Sequence, residues 1–270
     1  MSNNSCFKLS VVNYLNAAPL SYGLKHGLGS DCLHLKFQTP SLCADSLSGG
    51  EVDASLLSSI EYLRIPNIKI ISGSCIASLK KARSVLLLAK TKFSNIRTVA
   101  MDTSSRTSVV LGQILLRERY GIYANVVDMA PDQSAMLSRC DAALLIGDVA
   151  MRARKDGLLV VDLAEEWYNW TGLPFVFAVW VVRDSAVERA VLCGVPSLFE
   201  RSLEMGRRNL EAIIDEALPS IGWTRHELRE YFTSNIFYCL GDTELSGLRL
   251  FYKKAADHGF VRDSKSIQFF

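Results

Sequence analysis

The chain has 270 residues, 49% of them apolar and 21% charged, which is the composition of a globular protein with a substantial core. Thirty Lys and Arg residues against 28 Asp and Glu leave a formal charge of +2, so the sequence offers no concentrated basic surface for nucleic acid. No apolar run reaches the roughly 18 residues of a membrane span, and the polar start from Met1 to Cys6 does not fit a signal peptide. We therefore predict a cytoplasmic protein without a nucleic-acid or membrane partner.

The first 90 residues predict alternating strands and helices. Strands are expected at Lys8 to Val12, Leu33 to Phe37, Val52 to Leu57, Ile68 to Ile71 and Ser84 to Ala89. Pro19 suits the first turn of a helix that begins near Ala17. Such alternation is typical of a parallel sheet with right-handed crossovers.

A polar stretch from Thr91 to Asn95 precedes a second set of elements. Its strands are expected at Thr98 to Met101, Asn125 to Asp128, Ala142 to Ile146, Leu158 to Asp162 and Phe175 to Val182. From Ser185 the chain is predicted to be helical to its end, with apolar residues at 3.6-residue spacing through Leu192 to Ile214. The tail from Val261 to Phe270 fits either docking on the body or disorder.

Two sets of elements joined by two chain crossings predict a two-lobed α/β protein. Lobe one is expected to comprise residues 1–90 and 182–270, and lobe two residues 91–181. This arrangement resembles the bilobal, type II periplasmic-binding-protein-like fold, with two mainly parallel sheets flanked by helices and a ligand cleft that closes by a hinge motion.

Polar residues follow four of the predicted strands, at the carboxyl ends where open α/β sheets bind ligands. They are Asn13 and Asn16, Ser58 and Ser59, the segment Asp102 to Ser108 with Ser105, Arg106, Thr107 and Ser108, and the pair Gly147 and Asp148. The hydroxyls, the cation and the free N–H groups at the helix start after Asp102 suit a carboxylate or a phosphate.

A structural role is the alternative for each segment. Ser104 or Ser105, Asp148 and the serine pair at 58–59 equally fit helix N-caps, and Arg106 equally fits a solvent-facing position. The two asparagines are less needed for folding, because they bracket an apolar pair at a strand end, although a satisfied turn remains open for them.

Generic catalytic and metal motifs are missing from the sequence. It has no Gly-rich phosphate loop, no GxSxG elbow and no HExxH, and its four histidines show no metal-ligand spacing. Its seven cysteines are odd in number, scattered and without a CxxC pair, which indicates reduced thiols in the cytosol. We therefore expect no metal site.

Several longer motifs, in one order along the chain, carry a family resemblance. They are VNYLNAAPL at 12–20, DASLLSSIEYL at 53–63, RSVLL at 83–87, SSRTS at 104–108, DAALLIGD at 141–148 and DLAEEWYNWTGLPFVFAVW at 162–180. Over about residues 7 to 257 the sequence resembles the chorismate dehydratase family of the futalosine pathway to menaquinone.

The resemblance implies a cofactor-free lyase that converts chorismate to 3-[(1-carboxyvinyl)oxy]benzoate and water, as a monomer or homodimer. It implies that Asn16 and Ser84 face the reacting ring as catalytic residues. It further implies that Thr107 and Ser108 take a carboxylate and that Ser58 and Ser59 hold the opposite end of the substrate. It also implies that the substrate's own enolpyruvyl carboxylate accepts the proton.

Two rivals remain. The 1,4-dihydroxy-6-naphthoate synthase family shares the fold but carries a catalytic His at the end of the strand that corresponds to Leu144 to Ile146, where this chain has Gly147 and Asp148. A non-catalytic carboxylate-binding protein is also permitted by the fold. A structural or interaction protein would leave the polar strand ends unexplained.

Overall fold

The strands of the computed structural model form two separate sheets over the described residues, 6–262 and 265–270. The start at 1–5 and residues 263–264 of the tail lie outside them. In chain order the strands are β1 (Phe7–Val12), β2 (Leu33–Gln38), β3 (Ala54–Ser58), β4 (Ile68–Ser78), β5 (Val85–Ala89), β6 (Thr98–Asp102), β7 (Asn125–Met129), β8 (Ala142–Ile146), β9 (Leu159–Asp162), β10 (Phe175–Arg183) and β11 (Phe237–Leu240).

Helices flank both sheets. They are α1 (Ala18–Lys25), α2 (Pro40–Ser48), α3 (Glu61–Arg64), α4 (Arg106–Ile114), α5 (Gln133–Arg139), α6 (Gly147–Arg152), α7 (Leu163–Thr171), α8 (Val187–Leu192), α9 (Val195–Arg208), α10 (Leu210–Ile221), α11 (Arg225–Glu230) and α12 (Asp242–Asp257). Across the described ranges, none of these helices combines the length and the apolar character that a membrane crossing requires.

The predicted two-sheet α/β arrangement is confirmed, and each sheet is mixed. The first sheet has the strand order β11-β4-β10-β3-β1-β2, and the second has the order β7-β6-β8-β5-β9. Parallel pairing holds for β1 with β2 and β3, and for β6 with β7 and β8, whereas β5, β10 and β11 pair antiparallel with their neighbours. The sequence predicted mainly parallel sheets, and among the strands of the described residues parallel pairing is found only around β1 in the first sheet and around β6 in the second.

Two strands lie in the sheet opposite to the one expected. β5 was assigned to lobe one, but it pairs with β8 in the second sheet, from Val85 opposite Ile146 to Ala89 opposite Ala142. β10 was assigned to lobe two, but it lies between β3 and β4 in the first sheet. An apolar run shows that a strand is buried and does not show in which sheet. We propose that the lobes follow the sheets, with the crossings at residues 79–84 and 172–174.

A single carboxylate anchors the first crossing. Asp162 accepts hydrogen bonds from the backbone N–H groups of Ala82 (3.2 Å) and Arg83 (2.5 Å), and it also caps two N–H groups in the first turn of α7. Arg83 has a left-handed backbone with φ of 60°. Its guanidinium lies 4.2 Å from the centre of the Trp223 ring and pairs with Glu227 at 3.2 Å. The crossing is thus fixed from two sides.

The sequence predicted a C-terminal third that is helical throughout, and the structure shows that this prediction is wrong. The expected helix from Leu192 to Ile214 is broken at Gly194, which has φ of 61°, and at Asn209. β11 adds a strand to the edge of β4. The tail docks beside it, since Ile70 donates its N–H to the C=O of Gln268 and accepts from the N–H of Phe270, each at 2.9 Å. Unpaired backbone groups on the edge of β4 explain both additions.

Helix α1 leads out of the first strand end, and two small residues set its distance from α9. A Cβ on Gly206 of α9 would lie 2.1 Å from the carbonyl oxygen of Pro19, and one on Gly23 of α1 would lie 2.8 Å from Cα of Ser202. The hydroxyl of Ser202 donates to the C=O of Leu20 at 2.7 Å. Because the backbones approach this closely, α9 fixes the start of α1.

We expect Gly206→Ala to lower the free energy of unfolding by about 1–3 kcal/mol, because the added methyl overlaps the backbone of α1. Gly112→Ala is the matched control. It also changes a helical glycine, but its Cβ would meet side chains at 3.4 Å or more, so the better helix propensity of Ala makes it neutral or stabilising by up to about 1 kcal/mol. Urea denaturation measures both, and equal stability of the two variants would contradict the close approach.

Candidate functional site

A small cavity lies between the two sheets, at the strand ends predicted to bind a ligand. Its volume is about 40 Å³. It is lined by Val12, Tyr14, Asn16, Pro40, Ser58, Ile76, Phe177 and Ala178 from the first half of the fold, and by Val85, Ser105, Ser108, Ile146 and Gly147 from the second. The antiparallel strands explain part of this list, because β10 and β5 begin where β3 and β8 end.

Asn16 is the most exceptional residue of the lining. It lies in a short 3-10 turn, Leu15–Ala17, between β1 and α1. Its backbone C=O accepts a hydrogen bond from the hydroxyl of Tyr238 at 3.1 Å. Its side-chain Oδ1 is buried and has no hydrogen-bond partner among the described residues. A buried amide oxygen left unpaired costs about 1–3 kcal/mol, so its persistence beside a cavity marks a position suited to a ligand.

Ser105 and Ser108 begin α4 and line the cavity together. The Oγ of Ser105 accepts from the N–H of Ser108 at 3.2 Å and donates to the Oγ of Ser108 at 3.0 Å. Ser105 is therefore the N-cap, and the capping alternative is realised without removing either residue from the cavity. The positive end of the α4 dipole points at this wall, which favours an anion.

Thr107 and Ser59 are brought together, and they bond to each other rather than line the cavity. The Oγ1 of Thr107 accepts from the N–H of Ile60 at 3.1 Å and lies 3.4 Å from the Oγ of Ser59. Ser59 donates to the C=O of Val176 at 2.8 Å. These hydroxyls join the two halves of the fold, whereas the neighbouring Ser58 lines the cavity.

Arg106 lies outside the cavity lining. Its guanidinium pairs with Glu61 of α3 at 3.0 Å and with Asp45 of α2 at 2.8 Å. The Glu61 side chain is only 3% exposed and also pairs with Arg64 at 2.8 Å. The residue expected to meet a substrate carboxylate is thus engaged by two carboxylates of the other half of the fold.

Gly147 and Asp148 join the second sheet to the turn after β1. Gly147 has φ of 58°, and a Cβ there would lie 3.0–3.2 Å from ring atoms of Tyr14. Its N–H donates to the C=O of Ser84 at 2.8 Å. Oδ1 of Asp148 accepts from the N–H of Leu15 at 3.0 Å. Burial raises the pKa of Asp148, and the bond from Leu15 only partly opposes this rise.

Ser84 and Asn13 are placed differently from the rest. Ser84 is not among the lining residues; it precedes Val85 of the lining, its C=O accepts from the N–H of Gly147, and its Oγ accepts from the hydroxyl of Tyr231 at 2.9 Å. Asn13 is exposed and lines a separate cavity of about 330 Å³ on the other side of the turn. The two asparagines therefore do not converge on one cavity.

The sequence analysis assigned no role to Tyr14, and it included Asp102 only as the first residue of the polar segment 102–108. Tyr14 reaches from the first sheet to the second, and burial raises its pKa to about 12. Asp102 ends β6 and is fully buried; it accepts from the N–H groups of Ser104 at 2.8 Å and Ile146 at 3.3 Å. Burial also raises the pKa of Asp102. The position of Tyr14 between the two asparagines was the available signal for its role.

The described part of the chain holds no group of three or more His, Cys, Asp or Glu side chains arranged to bind a metal ion. The site consists of amides, hydroxyls, N–H groups and apolar side chains. Such a site can bind an oxygen-rich anion and orient it by hydrogen bonds.

Comparisons with known proteins agree on one family. Residues 7–257 match the model of a family described as menaquinone biosynthesis. A chorismate dehydratase of Thermus thermophilus is 30% identical over 268 residues, covering 91% of this chain and 93% of that protein. A chorismate dehydratase of Campylobacter jejuni is 27% identical over 252 residues, covering 90% and 94% respectively.

Solved structures agree on the fold. A protein of Archaeoglobus fulgidus superposes with a TM-score of 0.76 at 17% identity, covering 97% of this chain and all of the other. The periplasmic aliphatic sulphonate binding protein of Escherichia coli superposes with a TM-score of 0.67 at 12% identity, covering 98% and 94%. The fold is thus that of the periplasmic binding proteins.

The contact between Gly147 and Tyr14 predicts that Gly147→Ala lowers the free energy of unfolding more than an alanine substitution at another glycine with a left-handed backbone. Gly172, with φ of 71° and nothing within 4 Å of a Cβ, is the matched control. Each alanine costs about 1–2 kcal/mol of unfolding free energy for its left-handed backbone. The ring of Tyr14 adds about 1–3 kcal/mol at position 147 alone. Chemical denaturation of both variants tests this, and equal losses would show that Tyr14 yields freely.

We expect Asp148→Asn to gain stability relative to the wild type as the pH rises. The raised pKa means that the folded state holds the Asp148 proton at pH values where the unfolded state has released it. Wild-type stability therefore falls as the pH rises from the ordinary carboxyl pKa through the raised one, whereas Asn escapes this loss and still accepts from Leu15. Urea denaturation between pH 4 and pH 8, in steps of about one unit, measures the difference. A difference that is constant with pH would contradict the assignment.

Proposed function

The chain belongs to the menaquinone biosynthesis family, and from this membership we infer that it dehydrates chorismate to 3-[(1-carboxyvinyl)oxy]benzoate and water. Two relatives named as chorismate dehydratases match about nine-tenths of the chain, which supports a hydro-lyase activity. The structural observation that carries the proposal is the inter-sheet cavity with the unpaired amide oxygen of Asn16 beside the start of α4.

The reaction demands little acid–base chemistry from the protein. Loss of the C3 proton and the C4 hydroxyl makes the ring aromatic, so the thermodynamic drive lies in the substrate. The protein has to hold a dianion in a reactive geometry, stabilise developing charge and exclude water. A lining of amide, hydroxyl and N–H groups suits these tasks. We propose that the substrate's enolpyruvyl carboxylate accepts the C3 proton and passes it to the departing C4 hydroxyl, which leaves as water.

We propose that Asn16 and Ser84 face the ring when a substrate occupies the cleft; Asn16 lines the cavity in this structure, and Ser84 adjoins Val85 of its wall. The amide of Asn16 hydrogen-bonds the departing hydroxyl, supported by its unpaired Oδ1 in the cavity wall. Ser84 serves the ring-carboxylate side, supported by its place next to Val85 of the cavity wall and by the hydrogen bond from the N–H of Gly147 to its C=O. Ser58 and the pair Ser105 and Ser108 bind carboxylate oxygens from opposite walls.

Substrate entry requires the two halves to separate. A cavity of 40 Å³ has room for a few water molecules, whereas pockets for small ligands typically exceed about 300 Å³. Contacts that cross the cleft include Leu15 to Asp148 and Ile60 to Thr107. We propose that these contacts break on opening and re-form around the ligand, in the way that hinged lobes close. The pairing of Arg106 with Glu61 would act as a further latch.

The rival enzyme of the same pathway is disfavoured by the end of β8. The 1,4-dihydroxy-6-naphthoate synthase family carries a catalytic His at the end of this strand, whereas this chain has Gly147 and Asp148 there. None of His26, His34, His226 and His258 lines the cavity. The carboxylate-binding alternative is kept open by the likeness to sulphonate-binding proteins, and turnover decides between them. We further propose that the protein acts in the cytoplasm, as a monomer or homodimer.

Purified protein incubated with chorismate should give an aromatic product, followed by ultraviolet absorbance and chromatography. We expect Asn16→Ala to lower kcat/KM about 100-fold, the loss typical of one preorganised hydrogen bond to a reacting oxygen. We expect Asn16→Asp to be at least as poor, because its charge opposes a dianion.

Asn125→Ala is the control, since Asn125 is an exposed residue of the edge strand β7. It should retain full activity. Wild-type protein that binds chorismate without converting it would support the binding-protein alternative. A folded Asn16→Ala variant with full activity would remove Asn16 from the mechanism.

A further inference from the structure

Three buried tyrosine hydroxyls of the C-terminal segment donate to residues of the proposed site. Tyr231 donates to the Oγ of Ser84 at 2.9 Å, Tyr238 to the C=O of Asn16 at 3.1 Å, and Tyr252 to the C=O of Ser59 at 2.7 Å. None of the three tyrosines lines the inter-sheet cavity. Any effect they have on a bound ligand must therefore pass through the residues they contact.

Tyr231 controls the orientation of one hydroxyl. It is fully buried and packs edge-on against the rings of Trp223 and Phe232. Side-chain rotamers about the Cα–Cβ bond place a serine oxygen, and the O–H turns about the Cβ–Oγ bond until the partners of the hydroxyl fix its direction. Ser84 has two partners, the hydroxyl of Tyr231 and the C=O of Ala82 at 3.3 Å. Burial raises the pKa of Tyr231, so this tyrosine remains a donor throughout the neutral range.

Tyr238 controls the turn that carries Asn16. It lies on β11, and its bond to the C=O of Asn16 holds the 3-10 turn from outside the cavity. Inside the turn, the N–H of Ala17 donates to the C=O of Tyr14 at 2.9 Å. With its backbone held by these bonds, the turn presents an amide whose Oδ1 has no partner among the described residues. The oxygen stays unpaired, at a cost in folding free energy, because these bonds prevent the turn from rotating the amide toward another partner.

We propose that Tyr231 and Tyr238 are positioning residues, which hold Ser84 and Asn16 in the orientation that meets the substrate. The inference rests on the proposed function, because that function assigns these two residues to the reacting ring. Tyr252 acts in the same way on Ser59, one step further from the cavity. The C-terminal segment is thereby a support for the site as well as a cover for the first sheet.

Tyr231→Phe and Tyr238→Phe test the proposal, because each keeps the ring and removes only the hydroxyl. We expect kcat on chorismate to fall about three- to tenfold in each, the range of one modest hydrogen bond. KM should change less than about twofold, since Ser58, Ser105 and Ser108, which are proposed to bind carboxylate oxygens from the cavity walls, are untouched. In a Ser84→Ala background, Tyr231→Phe should have no further effect on kcat, because its only route to the substrate is gone.

Tyr62→Phe is the matched control. Tyr62 is equally buried, and its hydroxyl donates to the C=O of Ser266 at 3.0 Å and accepts from the N–H of Gln268 at 2.8 Å, at the docked tail. This variant loses at least as many buried hydrogen bonds, so it reports the cost of a structural role alone. It should retain wild-type kcat.

An active wild type with unchanged kcat in both Phe variants overturns the positioning role and leaves the proposed function standing. An equal loss of kcat in Tyr62→Phe also overturns it, because the effect would then be structural. A wild type that does not convert chorismate overturns the proposed function instead. Crystal structures of the two Phe variants then decide the positioning: a rotated Ser84 hydroxyl or a shifted Asn16 turn supports it, and unchanged positions refute it.

Discussion

The contact between the turn after β1 and the start of α6 is the interaction on which the site depends. Gly147 adopts a left-handed backbone that lets the ring of Tyr14 lie against it, and its N–H bonds the C=O of Ser84. The next residue, Asp148, accepts from the N–H of Leu15. One dipeptide therefore joins two cleft segments that are far apart in sequence, the turn after β1 and the residue before β5. Without this junction, the turn that carries Asn16 would lose its shared contact with Ser84.

The polar residues of the cleft divide by whether their hydrogen-bonding capacity is already used. The hydroxyls of Thr107 and Ser59 form hydrogen bonds with each other and with neighbouring backbone groups. The guanidinium of Arg106 pairs with two carboxylates. Asn16 keeps an unpaired oxygen at the cavity wall. Since an unmet buried group is costly and a satisfied one is nearly neutral, ligand binding gains most where the fold has left a group unpaired. The satisfied residues supply rigidity and closure.

The sequence predicted the elements better than their arrangement. Apolar runs such as Ala142–Ile146 located strands correctly, because a run of 5 apolar residues has the length of a buried strand and is too short for a typical buried helix. The same runs could not show that β5 and β10 exchange sheets, since pairing partners lie far away in sequence. β11 escaped prediction because it has only four residues between helical segments, and it is stabilised by the open edge of β4.

The sequence predicted which strand ends surround the cavity, and it predicted only some of the side chains that line it. Strand ends placed Asn16, Ser58, Ser105, Ser108 and Gly147 around one cavity, because carboxyl ends of parallel strands share an edge. Side-chain direction at the same edge depends on partners from other segments. Nothing in the local sequence showed that acids of α2 and α3 would engage Arg106. Nor did it show that Asn13, three residues before Asn16, faces another cavity.

The clamp of Asp162 on the first crossing has a consequence for motion between the halves. With Ala82 and Arg83 tied to this carboxylate, the crossing behaves as a fixed pivot rather than a flexible linker. Points next to a pivot travel least when one body swings about it. Ser84 is the adjoining residue, so in the proposed hinge motion it would move less than residues of the first sheet that lie farther from the crossing. Its place beside Arg83 and Gly147 would then be nearly the same in an open and a closed state.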